Sequence, residues 1–208
     1  MTTLEGYARW APLYPPRPHN ALMEAEAASL GPLVASAAPS VALDVGAGTG
    51  RNLELLRAAG ARFVAGIDLS PAMLAHGTRA CPRVCGDAQR LPFRLGTFDL
   101  VCSSLMCGDV ADLDAWIREA ARVVTRGGHV IYSDFHPSWS LSGWRRTFAG
   151  QDGRLYELPL FPHAIHEHVD LLDRHGLEVR AVHEPTIPGG TTPVVVVLHA
   201  VKLTRGQP

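Results

Sequence analysis

Three observations predict an α/β fold. Short apolar runs alternate with helical patterns, a glycine-rich turn follows the first apolar run, and two final strand-like runs are joined by a loop too short for a crossover helix. Together they predict a doubly wound, mostly parallel seven-stranded sheet with a C-terminal antiparallel hairpin. The 208 residues and 47% apolar content suit a single domain over 1–208 with room for a large core.

The elements follow in order. Residues 1–19 read as irregular, since Tyr14-Pro15-Pro16-Arg17-Pro18 cannot be helix interior. Asn20 is a good N-cap for a helix from Ala21 to Ala38, which Gly31-Pro32 is expected to kink or split. Residues 41–45 read as a strand, 50–59 as a helix, and 61–68 as a strand. Ser70-Pro71 opens the next helix. Strands are expected at 83–86, 98–103 and 129–134, with an amphipathic helix over 112–125. Residues 143–158 read as an inserted hairpin turned at Gln151-Asp152-Gly153, within a segment 138–162 that would cover the substrate side. A helix over 163–175 closes at Gly176, and strands 177–184 and 194–202 end the chain. Residues 1–38 form the expected lid and helix region.

Composition narrows the function classes. A net charge of −1 gives no basic footprint for nucleic acid. No apolar run is long enough to span a bilayer, and the N-terminus lacks the basic start and apolar run of a signal peptide. A cytoplasmic protein with reduced Cys81, Cys85, Cys102 and Cys107 is the expectation, and a homodimer is compatible with the sequence. No metal site is expected. Cys81 and Cys85 lack the CxxC spacing. Of His163, His166 and His168, a helix brings only the first two to one face.

The chemistry concentrates in Asp44-Val45-Gly46-Ala47-Gly48-Thr49-Gly50. Glycines let backbone approach a ligand, and a strand, glycine turn and helix in series suit a nucleotide-like group. The Gly46-x-Gly48-x-Gly50 spacing departs from the GxGxxG of dinucleotide sites. Asp68, ending the second strand, can accept from two ribose hydroxyls. Asp87, after the third, can accept from an exocyclic adenine amine. Asp44 can meet an ammonium group directly or through water.

These pieces, with Gly66-Ile67-Asp68-Leu69-Ser70-Pro71, Gly86-Asp87-Ala88, Leu91-Pro92-Phe93, Phe98-Asp99-Leu100-Val101 and Glu119 through Gly128, resemble the class I S-adenosylmethionine-dependent methyltransferases, and in particular the ubiquinone/menaquinone-biosynthesis group. The resemblance implies a Rossmann-like methyltransferase fold and S-adenosyl-L-methionine as cofactor. It implies that Gly46, Ala47, Gly48 and Gly50 bring backbone to the methionine moiety and that Asp68 holds the ribose. Leu69 and Met73 would pack the adenine, Asp87 and the Ala88 N–H would read its edge, and Ser103 would lie beside the reactive methyl.

The acceptor side is less determined. A small molecule, apolar or aromatic, is expected. His136, after the fifth strand, is the expected base or substrate-orienting group, with Asp109 in the turn Leu105-Met106-Cys107-Gly108-Asp109-Val110 as the other candidate base. Tyr14 and Trp144 are expected to line the acceptor pocket with His136. Arg145 and Arg146 read first as a solvated hairpin face and second as contacts to an anionic acceptor. An NAD(P)-dependent oxidoreductase and a catalytically silent cofactor-binding protein are the alternatives.

Overall fold

The computed structural model describes residues 1–77 and 81–204. Its core is a seven-stranded sheet in the order β3-β2-β1-β4-β5-β9-β8. The strands are β1 (Val41–Val45), β2 (Phe63–Asp68), β3 (Arg83–Cys85), β4 (Phe98–Ser103), β5 (Val124–Phe135), β8 (Leu177–His183) and β9 (Val195–Lys202). β1 to β5 pair in parallel, and β9 runs antiparallel between β5 and β8. The expected parallel sheet with an antiparallel closing pair is the one observed. The sheet reverses its winding between β1 and β4, and this switch point leaves a crevice at the strand carboxyl ends.

Side chains alternate between two faces. Leu43, Val45, Val101, Val130 and Tyr132 pack with Trp116, Ile117, Leu171 and Leu172 of α5 (Leu113–Val123) and α7 (Ile165–Arg174). Ala42, Val64, Leu100, Cys102 and Ile131 pack with Leu30, Val34, Leu53 and Leu56 of α2 (Ala21–Ala37) and α3 (Leu53–Ala58). The shorter α4 (Pro71–His76) is capped by the Ser70 hydroxyl and α5 by Asp112, each accepting from the N–H three residues on.

Four expectations need correction. Residues 3–10 form a helix, α1 (Thr3–Trp10), followed by a 3-10 turn over Ala11–Leu13. The signal was a capping box: Thr2 Oγ1 accepts from Glu5 N–H at 3.2 Å while the Glu5 carboxylate accepts from Thr2 N–H at 2.8 Å. Helix α2 runs unbroken through Pro32. Pro32 is exposed, as is Ala28 one turn before it, so the carbonyl that loses its partner can bond water. β5 begins at Val124 rather than 129, because Gly127 and Gly128 continue the strand through a register shift. His163 lies outside α7, and its ring meets that of buried His168 at 5.8 Å while His166 is exposed.

The inserted hairpin forms as expected, with β6 (Thr147–Ala149) against β7 (Leu155–Glu157), following the short helix α6 (Pro137–Leu141). It packs on α1: Trp10 stacks on Phe148 at 4.8 Å, and Gly6 has no room for a Cβ beside Leu158. Among the described residues, no helix is long and apolar enough to cross a membrane.

Candidate active site

The crevice is a cavity of about 490 Å³ bounded by the carboxyl ends of the strands, α1 and the approach to β6. Its floor is the turn after β1. Gly46 and Gly48 adopt φ of 71° and 51°, a region that favours glycine. The N–H groups of Gly46 and Ala47 both donate to the Ile67 carbonyl, at 2.8 and 3.0 Å, and Gly50 N–H donates to Ala47 at 2.8 Å. Asp68 ties this turn to the next one. Its Oδ2 accepts from Gly48 N–H and its Oδ1 from Ser70 N–H, both at 2.7 Å. Burial raises the Asp68 pKa against those two bonds. Leu69, Met73, Asp87 and Ala88 complete this end of the cavity, and Asp87 accepts from Gln89 N–H at 2.8 Å.

Under the floor lies a buried polar network. Asp44 has no solvent exposure, and its Oδ1 accepts from Asn52 Nδ2 at 3.2 Å while Oδ2 has no partner. Burial raises its pKa to about 7. Glu26 of α2, 1% exposed, accepts from Ser104 Oγ at 2.6 Å, Ser133 Oγ at 2.8 Å and Arg51 Nη1 at 3.0 Å. It therefore fixes Arg51 and Ser104, both of which line the cavity.

The other end is aromatic. Tyr7, Trp10 and Tyr14 face Phe135 and Trp144, whose rings lie 5.3 Å apart. Arg146, 5% exposed, makes a short ion pair with Asp109 Oδ1 and donates to the Pro159 carbonyl at 2.8 Å. Tyr7 donates to Asp109 Oδ2 at 2.8 Å. Burial, with the Asp109 charge beside it, pushes the Tyr7 phenol well above its ordinary range. Between the two ends, Leu105 holds a φ of 54°, which is costly for a branched side chain and marks a constrained turn.

Residues 43–132, which contain the glycine turn, Asp68 and Asp87, match the family model described as a methyltransferase domain. A demethylmenaquinone methyltransferase of Mycolicibacterium gilvum is 45% identical over 94 residues. The family similarity covers 43–132 of the 208 residues. The aligned part is 45% of this chain and 41% of the Mycolicibacterium protein, so the chain matches about two fifths of that relative's length. The fold extends further. A methyltransferase structure from Mesorhizobium loti superposes with a TM-score of 0.66 at 22% identity, covering 82% of this chain and 96% of that one. A putative one from Listeria monocytogenes gives 0.72 at 19%, covering 87% and 99%.

The residues present fit the methyltransferase cofactor. A Cβ on Gly46 would stand 2.6 Å from Met106 Cγ, and one on Gly48 3.1 Å from Met73 Cε, so bare backbone keeps the floor open. The unpartnered Asp44 Oδ2 below the turn suits a cation above it. Gly46, Ala47, Gly48, Asp68, Leu69, Met73, Asp87 and Ala88 all line the cavity, while Asp44 and Gly50 do not.

Ser103 does not line it. It is fully buried on the α5/α7 face, its Oγ unpartnered, and the next residue, Ser104, reaches the cavity instead. His136 is the larger correction. Phe135 faces the cavity, so the alternation at the end of β5 turns His136 away. Its Nε2 lies 2.8 Å from Glu184 and its Nδ1 2.7 Å from Ser138 Oγ, an arrangement that ties β5 to the β8–β9 loop. Tyr14, Trp144 and Asp109 do line the cavity, but Asp109 is committed to Arg146 and Tyr7. Sequence reasoning passed over Glu26. Its spacing from Met23 and Leu30, three before and four after, places it on the buried face of α2 and was the available signal.

Proposed function

We propose that the protein transfers a methyl group from S-adenosylmethionine to a small apolar or aromatic acceptor in the cytoplasm, releasing S-adenosylhomocysteine. The observation that carries this reading is one cavity with two unlike ends: a carboxylate-bound glycine turn at one and an aromatic chamber at the other. The relatives named demethylmenaquinone methyltransferase support a quinone-type ring as the acceptor.

The cofactor supplies an electrophilic methyl on a sulfonium. In our reading Asp68 binds the ribose hydroxyls, and Asp87 with the Ala88 N–H reads the adenine edge between Leu69 and Met73. Asp44 faces the ammonium through the turn, and Arg51, held by Glu26, faces the carboxylate. Trp10, Tyr14, Phe135 and Trp144 hold the acceptor flat and keep water out, which favours charge neutralisation in the transition state. Residues 1–38 and the hairpin act as the lid of this single domain, joined through Trp10–Phe148 stacking and the Arg9–Tyr156 contact.

The test is tritiated methyl transfer to extracts and to simple quinols. Adenosylhomocysteine formed in step with labelled product supports the reading, and cofactor binding without turnover on any acceptor contradicts it.

A further inference from the structure

Among the described residues, the aromatic end of the cavity holds no uncommitted base. Among the described residues lining it there is no histidine, cysteine, lysine or glutamate. Of the cavity's three carboxylates, Asp68 and Asp87 lie at the glycine-turn end, and Asp109, beside the aromatic rings, is held by Arg146 and Tyr7. A nucleophile that had to lose a proton among the aromatic rings would find there only the ion-paired Asp109.

The cavity does contain two arginines. Arg51 stands at the glycine-turn end and is paired with Glu26. Arg146 stands among the aromatic rings, its Cζ 5.8 Å from the Tyr7 centroid and 5.7 Å from that of Phe135. Its guanidinium is a fixed fork with five donors. Nη2 is used twice, on Asp109 and on the Pro159 carbonyl. Nε is buried without a partner, and Nη1 makes no hydrogen bond with the described residues. A buried fork with idle donors is costly unless something accepts from it. Asp109 holds this fork in place on one side, and Tyr7 in turn holds Asp109.

We propose that Arg146 anchors the acceptor through an ionised oxygen, with Asp109 and Tyr7 as positioning residues, so that the site selects conjugated acceptors acidic enough to arrive as oxyanions. This rests on the methyl-transfer reading and adds to it which acceptors qualify. It also removes the need for a base, since the acceptor's proton goes to bulk water before binding. An anion on a planar ring then lies against the aromatic wall with its oxygen on the guanidinium, a geometry that Arg supports better than Lys. The other charged and titratable groups near the fork are Asp109, Asp134, Tyr7 and Tyr14.

The test uses protein loaded with adenosylhomocysteine and two probes. 4-Nitrophenol absorbs visible light only when ionised, and 4-nitroanisole is its uncharged methyl ether. Wild-type protein should bind nitrophenol about tenfold or more tighter than nitroanisole and raise its ionised fraction at fixed pH. Arg146→Met should abolish both effects while leaving nitroanisole affinity within about twofold, Arg146→Lys should restore part of each, and Asp109→Asn, which removes a negative charge beside the guanidinium, should raise the ionised fraction. Equal binding of the two probes by wild type, binding of neither, or equal loss of both in Arg146→Met would overturn the anchor. Because the wild-type comparison needs no variant, a poorly folding Arg146→Met leaves the test intact. Failure of wild type to bind adenosylhomocysteine would instead contradict the methyl-donor reading itself.

Discussion

Asp44 links folding to pH and, with the proposed cofactor placement, cofactor binding to proton release. Its carboxyl is fully buried, keeps one hydrogen bond from Asn52, and has its pKa raised from the ordinary 3.8 to about 7. The folded protein therefore holds a proton there that the unfolded chain has already lost. Stability from this group is fully present below the unfolded value of 3.8 and is lost as pH rises through about 7. At ~1.4 kcal/mol per pH unit the loss has a ceiling of about 4 kcal/mol, which water penetration and local relaxation reduce. An ammonium above the turn reverses the balance, because a nearby cation favours the carboxylate. Adenosylhomocysteine binding at about pH 6 should then release up to about one proton, and binding above about pH 8 should release none from Asp44. Calorimetry in two buffers of different ionisation enthalpy reads the proton count directly. Asp44→Asn should flatten both the pH dependence of stability and the buffer dependence of binding. Proton-independent wild-type binding near pH 6, or an unchanged proton count in Asp44→Asn, would refute the reasoning.

Three further outcomes are expected. Asp68→Ala should weaken adenosylhomocysteine by about a hundredfold, or about 3 kcal/mol, since it removes a charged acceptor from the ligand and frees the Gly48 and Ser70 N–H groups; unchanged calorimetric affinity would remove the ribose role. Glu26→Ala should cost about 3–5 kcal/mol in urea unfolding, because Arg51, Ser104 and Ser133 all lose their buried acceptor, and a change under about 0.5 kcal/mol would mean the network carries no stability. Tyr7→Phe removes the 2.8 Å bond to Asp109 and should speed hydrogen exchange in α1. Equal exchange would show that this bond does not hold the roof.

Much of the glycine-turn end of the cavity was legible because local rules govern it. Asp68 ends one short run that reads as a strand and Asp87 follows another, and Gly46 and Gly48 adopt the positive φ that the turn requires. The aromatic end depends on long-range packing. Nothing local separates Arg145, exposed and paired with Glu157, from Arg146, buried against Asp109. His136 follows the fifth strand as expected, yet one step of alternation sends Phe135 inward and the imidazole to Glu184. Ser103 and Ser104 differ by the same single step. Glu26 looked like one more charge on an Ala-rich helix until its three partners arrived from α3's approach, β4's end and β5. Sequence periodicity marks a strand and its end, but a site built at the end of a strand depends on which of two neighbours points in.

The cavity is held to be a methyl-donor site. Calorimetric titration of the wild-type protein with S-adenosylhomocysteine, and in parallel with NADH, tests this most directly. Saturable one-site binding of adenosylhomocysteine that Asp68→Ala weakens, with no binding of NADH, is the expected result. Binding of NADH in preference, or of neither ligand, would contradict it.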